Sequence, residues 1–332
     1  RDKKICFMVC AMSALILTGN CAAGKMAGVD NYSQGSAALQ TGDYGKARQY
    51  FESALNDKNN LAESHAGLIQ ALRETGAYQE GVKRADQFLA SQARSPLLHL
   101  ERGRIASDVG DYAGAEKHLR QSISLAPGGS AIHLDAIREL AELLEGIGRR
   151  VDARLLWDQL IERYRTGGIR VSRNLGNVGV AAWYRGYVQD AKDIFIDATD
   201  PKLGEVSLEA LANFGRLFLE KYNATEALGV FRDCLKINGN YPKALIGIAL
   251  AKKYDNGFEA ETYSRMALKV NPNFVPALNS LAELAIESEN HDEALKIMGA
   301  ALAVNPASLE TLSLQAVCHY FRGDSSSFEE TE

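Results

Sequence analysis

Six histidines and five cysteines are the residues with which this chain could do chemistry, so their spacing comes first. His65, His99, His118, His133, His291 and His319 contain no His-Glu-x-x-His pair, and no Cys/His cluster has the short spacing of a metal site. His99 and His118 could meet across one helix pair, where ordinary packing is a simpler expectation than a two-histidine metal site. Cys6, Cys10 and Cys21 fall within the first 24 residues. Cys234 and Cys318 are too few and too far apart for a disulfide framework, and they occupy slots where Ala or Val would serve. Glycine is plentiful at 29 residues, yet no Gly-rich phosphate loop with its following Lys-Ser/Thr is present. The sequence therefore predicts no catalytic residue, no metal site, no cofactor and no enzyme activity of its own.

Charge narrows the partners only slightly. The net charge is −5, but residues 275–332 carry ten acids against two bases, and residues 149–185 carry eight arginines against three acids. Solvated helix faces are the plain expectation, and a polarised binding surface the sharper one. Nucleic acid is not expected as a partner, since the basic excess is too narrow.

The N-terminus reads differently from the rest. Arg1, Lys3 and Lys4 precede an apolar run from Ile5 to Leu17, then the small-residue stretch TGNCAAG. That order is the pattern of a secretory signal. The apolar run makes only about 20 Å of helix against a ~30 Å hydrocarbon core. Residues 1–24 are thus expected to direct export, giving a periplasmic or membrane-anchored protein. Cleavage after Ala23 and lipid attachment at Cys21 both stay open, with Thr18-Gly19-Asn20 a poor lipidation signal.

What positions any working residue is a repeat. The stretch DYGKARQYFESAL (43–55) lies over AYQEGVKRADQFL (77–89) and DYAGAEKHLRQSI (111–123). Five more registers follow, anchored with these by Ala47, Gly81, Ala115, Ala153, Ala191, Ala227, Ala260 and Ala294, at spacings of 34, 34, 38, 38, 36, 33 and 34. The words MALKVNPNFVPAL (266–278) and AALAVNPASLETL (300–312) repeat at the same interval. All seven prolines fall at or near expected helix boundaries, where their missing N–H is tolerated. The two spacings of 38 predict helices longer by about a turn, or longer loops, and a change of superhelical pitch near Ala153.

The pattern resembles the tetratricopeptide repeat family, which is built from antiparallel helix pairs of 34 residues. The small residues of its eighth position fit Gly35, Gly103, Gly179, Gly215 and Ala282. The large residues of its twenty-fourth fit Phe51, Leu119, Trp157, Phe195, Phe231 and Met298. The resemblance covers about residues 28–330. It implies an all-α, right-handed superhelical solenoid of about eight repeats plus an incomplete ninth over residues 28–332. It also implies a non-catalytic scaffold that binds a protein or peptide on its concave wall. By the family's register that wall carries Arg104, Arg138, Trp183, Tyr184, Arg216, Lys252 and Lys253, and packing of Trp183 between helices is the competing expectation. The Lys/Asn set with which some family members clamp a C-terminal carboxylate is missing. Residues 270–329 also resemble repeat segments that precede a peptidase MA-type domain in exported bacterial proteins. On that alternative this chain is the repeat portion of a longer metallopeptidase, with catalysis beyond Glu332.

Overall fold

The computed structural model describes residues 20–56, 62–169, 171–204, 206–221 and 223–324, with 326 and 328. The expected signal segment lies, up to residue 19, outside the described residues. Helix α1 (Asn20–Thr41) pairs with α2 (Tyr44–Asn56), α3 (Ala62–Glu74) with α4 (Tyr78–Ser91), and α5 (Pro96–Asp108) with α6 (Tyr112–Leu125). The pairs α7 (Ala131–Gly146) and α8 (Arg150–Arg165), α9 (Ser172–Tyr184) and α10 (Val188–Ala198), and α11 (Leu208–Glu220) and α12 (Ala224–Ile237) follow. Then come α13 (Pro242–Lys252) with α14 (Gly257–Val270), α15 (Val275–Glu287) with α16 (His291–Val304), and finally α17 (Leu309–Arg322). The described residues form no strand. Each helix packs on its neighbours in sequence, and odd-numbered helices also pack on one another from α1 to α17. The result is a two-layered α-solenoid, with the odd helices as the inner layer.

The local reasons repeat with the sequence. The first helix of an early pair ends on a glycine in the left-handed region, such as Gly76 at φ 74°, where a side chain would be strained. Gly76 N donates to Arg73 O at 3.0 Å and Ala77 N to Leu72 O at 2.8 Å, the paired bonds that close a helix end and reverse the chain. Pro96 and Pro242 open α5 and α13, and Pro276 stands in the first turn of α15. The two long spacings resolve mainly into longer helices, since α7 and α8 have 16 residues each where α3 and α5 have 13.

Packing follows the expected small-and-large rule. Ala47, Ala115, Ala153, Ala191, Ala227, Ala260 and Ala294 are all fully buried. Phe231 fills the space between Gly215 and Gly247, and a Cβ at Gly247 would lie 2.3 Å from its ring. Phe51 is held in the same way, with a Cβ at Gly67 only 2.3 Å from its ring. Such contact needs the bare backbone, because well-packed interiors leave no slack of that size. One helix pair cannot enclose these wedges alone, so each is completed by the next repeat. The solenoid also closes on itself: Asn238 Nδ2, at the end of the sixth repeat, donates to Tyr44 Oη of the first repeat at 3.1 Å.

Candidate interaction surface

The inner wall is built by the odd helices, whose corresponding positions stand one above another at the repeat spacing. Arg104 on α5 and Arg138 on α7 are such a pair, 34 residues apart, and Glu101 and Asp135 are another. The stacking puts each cation among acids of its own and the next repeat. Arg104 reaches Glu101 at 2.6 Å and Glu139 at 2.9 Å. Arg138 reaches Glu139 at 2.7 Å, Glu142, and Asn177 Oδ1 at 2.8 Å, and Glu209 lies 3.6 Å away. Glu209 in turn takes Lys243 Nζ at 2.8 Å and the Tyr241 hydroxyl at 2.8 Å. One repeat earlier Arg73 meets Glu74 at 2.7 Å and Asp108 at 3.6 Å, and lies 3.9 Å from Glu101.

Most of these groups line a cavity of about 290 Å³ that is open to solvent, together with Ser36 and Gln70 from the first repeats and Glu209, Tyr241 and Lys243 from far along the chain. Its electrostatics are those of a narrow, self-neutralised interior. Burial works against the charge of Arg138, but Glu139, Glu142 and Glu209 outweigh it and hold the guanidinium well above its ordinary range. Burial would likewise raise Glu139, yet Arg138, Arg104 and Lys243 pull it down to about 2. Asp108 goes the other way. Its enclosure among the wall groups lifts its carboxyl towards about 6, although the side chain keeps 36% of its exposure, and Arg73 only partly offsets that.

The expected wall residues therefore fall into two groups. Arg104 and Arg138 keep only 15% and 3% of their side-chain exposure and belong to the interior ion pairs. Lys253 keeps 8%, bound to Glu283 and Glu287, and Lys252 keeps 22%, 3.1 Å from Glu259. Arg216 keeps 49%. Its guanidinium stands 5.4 Å over the Trp183 ring, and Nη1 donates to Asn213 Oδ1 at 3.1 Å. Trp183 is itself buried, and its ring lies 5.4 Å from that of Tyr184, which stacks on Trp157 at 4.9 Å. Tyr184 remains partly exposed. So Trp183, Tyr184 and Arg216 form one patch, with a buried aromatic floor and an open cation above it.

Sequence reasoning passed over Glu139, Glu209, Asp108 and Lys243, although the stacking of Glu101 and Asp135 at the repeat spacing was a readable sign of an acidic row. His99 and His118 do meet, Nδ1 to Nδ1 at 2.9 Å, while His99 Nε2 faces Ala93 O at 3.1 Å. A carbonyl accepts only, so Nε2 of His99 carries the proton and its Nδ1 accepts from His118. No group of three metal-ligating side chains occurs among the described residues. Cys234 and Cys318 are fully buried, and burial pushes the Cys234 thiol up to about 12, which keeps it from being a nucleophile. No helix among the described residues is long and apolar enough to cross a membrane.

Comparison with known proteins agrees with this architecture. Family profiles described as tetratricopeptide repeat match residues 66–130 and 31–56. The chain carries tetratricopeptide repeats. A chain of the crystal structure of the APC/C hetero-tetramer Cut9–Hcn1 is similar, with a TM-score of 0.52 and 12% identity over 90% of this chain and 58% of that one. A tetratricopeptide repeat protein from Parabacteroides merdae ATCC 43184 has 16% identity and a TM-score of 0.45 over 70% of this chain and 89% of its own. The C-terminal part of a repeat-containing protein from Cytophaga hutchinsonii has 15% identity and a TM-score of 0.35, over 75% and 98%. A search of curated proteins gives no match.

Proposed function

We propose that this chain is a non-catalytic scaffold that binds a protein or peptide partner through the Trp183–Tyr184–Arg216 patch of its inner wall. The observation that carries the reading is the exposure of Arg216. Among the inner-wall cations singled out by the repeat register it alone keeps about half of its surface, at 49%. It is also held over an aromatic ring and lies 3.6 Å from one acid, Glu142, contacts that orient it while leaving half of it open. A partly exposed tyrosine on a buried tryptophan, beside an arginine, is a composition in which binding energy concentrates at protein interfaces. The other cations are spent on internal acids, so they contribute to the shape of the wall more than to its affinity. The basic and apolar order of Arg1 to Leu17 supports an exported or membrane-attached setting for this scaffold.

The test is a selection of peptides from a random displayed library, followed by calorimetry of the selected peptides on the full chain. Peptides that use the patch lose roughly tenfold or more in affinity on Trp183→Ala with Arg216→Ala, about 1.4 kcal/mol or more. The helical circular dichroism stays the same. Unchanged affinity in the double variant rejects the patch as the binding surface.

A further inference from the structure

We propose that three repeated polar rungs form an axial clasp, which closes the solenoid into a collar and shuts its inner cavity to any polypeptide. The first rung joins the turn after α1 to the turn after α12. Asn238 Nδ2 donates to Tyr44 Oη at 3.1 Å, and Asn240 Nδ2 to Gly42 O at 3.1 Å. The second joins the turns after α3 and α14, with Asn271 to Tyr78 Oη at 3.1 Å and Asn273 to Gly76 O at 2.9 Å. In the third, Tyr112 Oη donates to Ala307 O at 3.1 Å, with Asn305 Nδ2 3.5 Å from the same hydroxyl. Asn238 and Asn271 are almost fully buried in these contacts, as are Tyr44 and Tyr78. The partners lie 194, 193 and 193 residues apart, so repeats one to three sit on repeats six to eight.

The sequence carries the same device. Tyrosine at this turn position occurs in the first three repeats only, and Arg150 and Val188 replace it in the next two. Asparagine caps the second helix in the last three pairs, whereas Gln92, Ala126, Thr166 and Thr199 stand at that place in repeats two to five. Each residue type thus appears where its partner exists. The turn glycines fit as well. A Cβ at Gly42, Gly76 or Gly110 would lie 2.0, 2.2 or 2.2 Å from the Oδ1 of Asn238, Asn271 or Asn305. Gly148 and Gly186 have the same positive φ, 80° and 82°, but nothing within 4 Å.

Closure has a consequence for the wall. The cavity of about 290 Å³ is open to solvent and no larger than a small-molecule site, so small solutes enter it while a bulky chain is held back as long as the rungs hold. The Trp183–Tyr184–Arg216 patch does not line this cavity, and the clasp is therefore independent of the binding proposal.

Gln70→Cys places a thiol on the cavity lining, and peptide mass spectrometry follows its labelling apart from the other cysteines. Methyl methanethiosulfonate labels it readily in the native background, while a maleimide on a long polyethylene glycol chain reacts slowly. Adding Gly42→Ala, Gly76→Ala and Gly110→Ala speeds the bulky reagent by roughly tenfold or more, since its rate follows the open population. Gly148→Ala with Gly186→Ala carries the same backbone strain per position and leaves that rate unchanged. If the triple glycine variant does not fold, Tyr44→Phe, Tyr78→Phe and Tyr112→Phe keep the rings, remove the hydroxyls and give a smaller rise. Equal effects of the two glycine sets overturn the clasp, and so does fast bulky labelling in the native background.

Discussion

Replacing Arg138 by methionine tests whether the inner wall is held by charge. The guanidinium side chain is 3% exposed and meets Asn177, Glu139 and Glu142, with Glu209 at 3.6 Å. Methionine fills much of the same space with a flexible apolar chain and supplies no donor. The acids then face one another without their central cation. Removing one member of a buried ion pair costs about 3–5 kcal/mol, because the remaining charge is stranded. Glu139, Glu142 and Glu209 keep 21%, 20% and 29% of their exposure, so water reaches them in part and the low end, about 3 kcal/mol, applies. The pH dependence gives a second, sharper signature. Glu139 is held at about 2 against an ordinary 4.5, so its stabilisation is full above 4.5 and lost as pH falls towards 2. Without Arg138 the clustered carboxyls move up, and acid relieves their repulsion. The gap between native and variant stability therefore narrows as pH falls from 7 to 4. Long repeat arrays need not unfold in one step, so hydrogen exchange along α7 at pH 7 is the primary assay. It should show opening about a hundredfold faster in the variant, matching about 3 kcal/mol. Urea midpoints at pH 7 and pH 4 supply the second comparison. A loss below about 1 kcal/mol at pH 7 refutes the reasoning, as does a gap that widens in acid.

Two further outcomes follow from the same packing. Ala227→Trp overfills a fully buried contact and should cost about 1–3 kcal/mol or more, whereas Glu226→Ala, one exposed residue away, should change urea stability by less than about 0.5 kcal/mol. Equal effects would mean that the helix register is misplaced. Asp108 is lifted to about 6 from an ordinary 3.8, so its neutral form favours the fold below 3.8 and that contribution is lost as pH rises through about 6. Asp108→Asn should flatten the thermal stability curve between pH 4 and 7 and raise the melting temperature at pH 7.5, and an unchanged slope would exclude this carboxyl as its source.

What the sequence disclosed and what it withheld differ by the range of the interactions. The helix pairs were legible because each is settled within about one repeat. Ala227, Phe231 and Gly215 lie in a single pair, and the glycine that completes the wedge, Gly247, is in the next. The inner wall was legible only as a register. The same register that brings out Arg104 and Arg138 says nothing of Glu209, which neutralises Arg138 from two repeats away. Whether a wall cation is open or spent depends on curvature, and curvature is the sum of small rotations per repeat that no single repeat encodes. Arg216 keeps more of its surface because its neighbours are the Trp183 ring, Asn213 and a single acid within 4 Å, Glu142 at 3.6 Å. The Asn-Pro words show the same limit most plainly. Read locally, Pro272 and Pro306 end helices, and the asparagines before them look like accompaniment. Yet Asn238 is followed by Gly239 rather than proline and makes the same bond to a tyrosine in the first repeat. The proline is therefore dispensable to the asparagine's role. The trace of long-range closure in such a chain is the polar residue that breaks the period, tyrosine in three repeats and asparagine in three others.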